Sequence, residues 1–128
     1  MRVAYVTTYD PADVLNWSGL GSYILKAIKR QGYEVECMGP LPPYSKIRRH
    51  WLRAKRIFYD RLLRGNLGQF SAERDHKVAK FYAQAVMDQL RKKRYDLIVA
   101  PGSIAVAFLE TDVPIVLWED ATFDSLIA

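Results

Sequence analysis

The sequence predicts an α/β domain of three layers, a parallel sheet with helices on both faces. Two observations carry this. Four short apolar runs rich in Val, Ile and Leu show no alternating polar face, as strands covered on both sides require. Helical patterns lie between them, and parallel strands need such crossovers. At 128 residues, half of them apolar, the chain suffices for one domain with a real core and is too short for two.

The first apolar run is "VAYVTT", Val3 to Thr8. A polar loop follows, and then Leu20, Ile24, Ala27 and Ile28, spaced three or four apart, predict a helix closed by Lys29, Arg30 and a stop at Gly32. "YEVECMG", Tyr33 to Gly39, is the second strand, and "GPLPPY" after it is irregular because prolines interrupt it. From about Ser71 to Arg94 a second helical pattern puts Val78, Phe81, Tyr82, Ala85, Val86 and Leu90 on one face and ends in a basic "RKKR" that complements the helix dipole. "DLIVAPG", Asp96 to Gly102, is the third strand. Ser103 then caps a predicted short helix through Phe108, and "TDVP" turns the chain into the fourth strand, "PIVLWED", Pro114 to Asp120. All four strands are expected to be buried. The closing "EDATFDSLIA" reads as the first turns of another helix without a polar tail, the expectation for a chain that continues.

Nineteen Lys plus Arg against fourteen Asp plus Glu leave a formal charge of +5, which suits an anionic partner such as phosphate, nucleic acid or lipid headgroup. The lone Cys37 excludes an intrachain disulfide, and "MRVAYVTTYD" reaches an aspartate too early for a signal-peptide core. No apolar stretch approaches the roughly 18 to 20 residues that span a bilayer. The expectation is a cytoplasmic protein whose membrane contact, if any, is peripheral. No spacing of residues calls for a metal or cofactor.

"NWSGLGSY", Asn16 to Tyr23, is the glycine-rich turn in front of the first helix. A dinucleotide fingerprint needs its first glycine directly after the strand, and here about ten residues intervene. Gly19, Gly21 and Ile24 give G-x-G-x-x-I, without the third glycine, and no Walker A pattern occurs. What remains is a long polar loop ending in backbone amides at a helix N-terminus, a geometry suited to an anionic or sugar ligand. The plainer reading makes Gly19 and Gly21 a tight lead into the helix, with Trp17 stapling the loop to the core.

"YDPADVLNWSGLGSYILKAIKRQGYEVECMGPL" resembles the opening of bacterial group 1 retaining glycosyltransferases of family 4, which have the GT-B fold. "ETDVPIVLWEDATFDSL" resembles the same proteins where an apolar strand runs into "D-A-T-F", whereas the stretch from Pro42 to Arg94 is weakly similar. The resemblance implies a Rossmann-like N-terminal, acceptor-side domain over residues 1–128, facing an absent C-terminal donor domain that carries the paired-glutamate motif. It implies a nucleotide-sugar donor, a sugar acceptor, and inactivity of this half alone. Gly19 and Gly21, with Ser18 close by, would lie near the donor phosphates or the transferred sugar. Many relatives place a histidine after the strand equivalent to "PIVLW"; Glu119 and Asp120 stand there instead and are the catalytic candidates, or else plain turn residues. The two histidines, His50 and His76, lie among charges in helical patterns and read as solvated surface.

"SKIRRHWLRAKRIFYDRLLRG", Ser45 to Gly65, holds eight basic residues and one acid, with Ile47, Trp51, Ala54, Phe58 and Leu62 on one helical face. It is expected either to dock an anionic surface through Arg48, Arg49, Arg53 and Arg56 or to pack on the core with a solvated rim. No helix-turn-helix, zinc or single-strand signature accompanies the charge, so nucleic acid is not expected. Two other readings of the whole chain remain open: a nucleotide-binding oxidoreductase or epimerase fragment, and a non-enzymatic module that binds an anionic partner.

Overall fold

The computed structural model describes residues 1–42, 50, 53–55, 57–58 and 75–119. Four strands, β1 (Arg2–Val6), β2 (Glu34–Met38), β3 (Leu97–Pro101) and β4 (Ile115–Trp118), form one parallel sheet in the order β2-β1-β3-β4. Helix α1 (Leu20–Arg30) crosses from β1 to β2, and α2 (His76–Leu90) leads into β3. This is a Rossmann-like α/β arrangement.

The period-two geometry of the strands sends alternate side chains to opposite faces. Val3, Tyr5 and Val99 pack with Ile24 and Leu25 of α1, while Ala4, Val6, Ile98 and Ala100 pack with Val86 of α2. Tyr5, Val3, Val6, Ile98, Met38 and Val86 are all fully buried or nearly so. Burial of each aliphatic side chain among them contributes roughly 1.5 to 3 kcal/mol relative to exposure.

Three expectations need correction. First, β4 is not buried: Ile115, Val116, Leu117 and Trp118 remain 37% to 50% exposed. The strand is the edge of the sheet among the described residues, and none of its side chains belongs to either core cluster. Second, the helix expected over Ser103 to Phe108 is a run of turns, in which Val106 N–H donates to the Ser103 carbonyl and Leu109 N–H to the Val106 carbonyl at 3.0 Å each. Ala105 and Val106 bury into the core, and that packing is met without four-residue helical bonds. Third, α2 ends at Leu90, so Arg91 to Arg94 lie just past the helix instead of in its last turn. Residues 71–74, the expected start of that helix, lie outside the described residues. Asp75 caps α2, its carboxylate accepting from Lys77 N–H at 2.9 Å and from Lys55 Nζ at 2.6 Å.

Candidate functional site

In open parallel sheets, ligands bind beyond the carboxyl ends of the strands where the strand order reverses. Here β1 connects to β2 on one side while β3 lies on its other side, so the reversal falls between β1 and β3. The segments at that edge are the loop from Thr7 to Asn16 and the turns that begin at Gly102.

The loop after β1 is built by short polar bonds. The buried Thr7 hydroxyl donates to the Tyr9 carbonyl at 2.7 Å, and the Asp10 carboxylate accepts from Ala12 N–H at 2.9 Å. Asp13 accepts from Leu15 N–H at 2.8 Å and from the Asn16 side-chain amide. These are the local side-chain-to-backbone bonds that aspartates favour in turns. The chain then makes a single turn, Asn16–Gly19, in which Trp17 (φ 49°), Ser18 (φ 53°) and Gly19 (φ 79°) are all left-handed. For L-residues other than glycine that conformation costs roughly 1 to 2 kcal/mol each. Trp17 packs partly buried against the α1 side of the core, so the staple expected of it forms.

Helix α1 follows without a side-chain cap at Gly19 and without an acid in its first turn. Its N-terminal dipole and first-turn amides therefore have no compensating side chain there. Gly21, in contrast, is enclosed. The Tyr5 hydroxyl donates to its carbonyl at 2.6 Å, and the Tyr9 hydroxyl lies against its Cα, where a Cβ would overlap it. That Tyr9 hydroxyl is buried without a hydrogen-bond partner. Burial raises the pKa of both tyrosines, strongly for Tyr5, so both are neutral donors at ordinary pH.

The predicted site residues thus separate. Ser18 is exposed at the edge, Gly19 is buried at the helix start, and Gly21 is buried one residue further on beneath Tyr9. Glu119 is exposed just past the end of β4. Since β3 intervenes between β1 and β4, strand spacing puts their ends about 10 Å apart on one edge. Asp120, Arg48, Arg49 and Arg56 lie outside the described residues; Arg53 is exposed. His50 and His76 are exposed, as expected of solvated surface, and the His76 ring meets Phe108 edge-on at 4.9 Å.

Sequence reasoning passed over two features. Tyr5 and Tyr9, which flank Gly21, read only as strand and loop residues, and no periodicity reveals that they converge on a glycine twelve or more positions away. Gly102 (φ 97°) and the exposed Ser103 open the turns at the switch point, and a Gly-Ser pair directly after an apolar run was the available signal.

Among the described residues no group of His, Cys, Asp or Glu could hold a metal, and no helix is long and apolar enough to cross a membrane. Comparison with known proteins gives no match to a family model, to a curated protein or to a solved structure.

Proposed function

We propose that the chain is the acceptor-side, N-terminal half of a retaining GT-B glycosyltransferase. In this reading it works in the cytoplasm, moves a sugar from a nucleotide-sugar donor to an acceptor, and catalyses only together with a donor domain. The observation that supports this best is the left-handed turn Trp17–Ser18–Gly19, which stands at the carboxyl edge and leads into α1, a helix without a side-chain cap. Backbone strain of this kind persists where the surrounding structure holds it, and it concentrates at ligand sites.

Retaining transfer develops positive charge at the anomeric carbon and negative charge on the departing diphosphate. Leu20 N–H is bonded to the Trp17 carbonyl, so the donors offered to that diphosphate are the amides on either side of it, with the Ser18 hydroxyl beside them. Gly19 supplies the left-handed bend that aims them, and Gly21 acts from behind by admitting Tyr9. Glu119, just past the end of β4, orients the acceptor hydroxyl together with Asp120, the next residue in the sequence. A second reading, contact of the 45–65 segment with an anionic surface, is favoured by the exposure of Ile57 (55%) and Phe58 (58%) beside exposed Arg53. Of its expected apolar face, the described Ala54 and Phe58 do not pack on the core.

The test is titration of the isotope-labelled chain with pyrophosphate and with nucleotide-diphosphate sugars, followed by amide shifts. Shifts confined to Ser18, Gly19, Leu20 and the Gly102–Ser103 turn are expected. Silence of those amides up to about 10 mM, a concentration that would reveal even millimolar binding, overturns the site.

A further inference from the structure

We propose that the outer face of α1, together with the loop tip in front of it, is a docking surface for an anionic lipid bilayer. The proposal needs no donor domain and does not rest on the glycosyltransferase reading.

The tip is apolar and projects. Leu15 is 88% exposed, Val14 53% and Tyr23 64%. The Val14 backbone and the Tyr23 ring meet across Gly19, whose Cβ position lies 3.2 Å from the Val14 carbonyl oxygen and 3.3 Å from Tyr23 Cε2, and Leu15 follows Val14 in the chain. Behind the tip the helix is basic. Tyr23, Lys26, Ala27 and Arg30 follow at spacings of three, one and three, which puts them on one arc, and all four are exposed. Lys29, also exposed, borders that arc, and α1 contains no acidic residue. Lys26 Nζ stands 5.4 Å from the Tyr23 ring centroid, so ammonium and ring occupy the same level of the surface. The nearest acids in the preceding loop, Asp10 and Asp13, have their carboxylates bonded to the loop itself.

This order suits a membrane interface. Leucine and valine enter the headgroup–acyl boundary, tyrosine sits at headgroup depth, and lysine and arginine meet anionic phosphates. A protein partner would instead favour a broad apolar centre with charge at its rim, whereas here three apolar side chains form one end and the bases spread behind them. The described Lys55 places its part of the 45–65 segment away from this surface. Lys55 of that segment is tied to the cap of α2, and α2 covers the opposite face of the sheet from α1.

The experiment is co-sedimentation of the 128-residue chain with phosphatidylglycerol-containing vesicles and with pure phosphatidylcholine vesicles at low salt, with circular dichroism confirming that each variant is folded. Binding to the anionic vesicles alone is expected. The triple variant Lys26→Glu, Lys29→Glu, Arg30→Glu should weaken partition about a hundredfold, since each base near an anionic leaflet contributes about fivefold. Leu15→Asp should weaken it about tenfold by removing the inserted side chain. Equal binding by the triple variant, equal binding to phosphatidylcholine, or no binding at low salt overturns the proposal. So does binding that is lost only when Arg48, Arg49, Arg53 and Arg56 are changed to Glu, which assigns the contact to the other segment.

Discussion

Replacing Gly21 by alanine is the most direct probe of the loop, because the structure fixes what the new methyl group meets. It would overlap the Tyr9 hydroxyl and come within 3.2 Å of Tyr9 Cζ and 3.3 Å of Cε2. Overpacking costs roughly 1 to 3 kcal/mol, while alanine gains up to about 1 kcal/mol over glycine within a helix, so Gly21→Ala should destabilise by about 1 kcal/mol. Tyr9→Phe removes a buried hydroxyl that has no partner, and should stabilise by about 1 kcal/mol. In the double variant the overlapping atom is gone and the remaining ring atoms need yield only slightly. Alanine should then be worth about +0.5 kcal/mol, which makes the coupling between the two positions about 1.5 kcal/mol. Urea unfolding of the four proteins measures it, with each kcal/mol also visible as roughly 3 to 5 °C in Tm at this chain length. Additivity within about 0.5 kcal/mol would refute the packing argument. A Gly21→Ala protein with unchanged stability would show that the space beside this glycine is open and available to a ligand.

Ser18→Gly should raise stability by about 1 kcal/mol in thermal unfolding, because glycine adopts the left-handed φ of 53° without penalty; a loss would mean that the hydroxyl matters more than the strain. Tyr5→Phe should cost about 1 to 2 kcal/mol in urea unfolding, since it deprives the Gly21 carbonyl of a buried donor, and a neutral result would remove that bond from the energetics. Burial alone would raise the pKa of Asp75, but the Lys55 ammonium and the Lys77 amide outweigh it and hold the carboxyl below its ordinary value. A depressed folded pKa stabilises the protein above the unfolded value of about 3.9 and is lost as pH falls through the folded one, so Asp75→Asn should lower the urea midpoint at neutral pH and flatten its decline in acid. Leu117→Lys on exposed β4 should leave the unfolding midpoint within about 0.5 kcal/mol and reduce self-association in light scattering, and a large loss of stability would show that this edge strand is packed.

The strands were legible because unalternated runs such as "DLIVAPG" have few other uses in a covered parallel sheet, and α1 because its apolar spacing and Gly32 stop are local signals. The turns over 103–108 were not, since Ala105 and Val106 satisfy their burial through contacts with the sheet that no local propensity encodes. Of the candidate site, the sequence marked the glycine-rich loop after β1, and composition supplied the basic surplus. Chain order alone could not place β1 between β2 and β3, and that choice locates the switch point.

What the sequence by itself determined, then, is the four strands, the two long helices, the parallel sense of the sheet and the position of the glycine-rich loop, because hydrophobic period and turn chemistry act over a few residues. The tertiary structure decided which glycine bends the backbone and which makes room for a side chain. Gly19 and Gly21 look equivalent in "NWSGLGSY", yet one is left-handed and the other lies under a tyrosine from a loop twelve residues earlier. It likewise decided that "IVLW", apolar enough for a core, stands at an edge among the described residues: burial depends on which elements lie alongside a strand, and a side chain's own hydrophobicity cannot specify its neighbours.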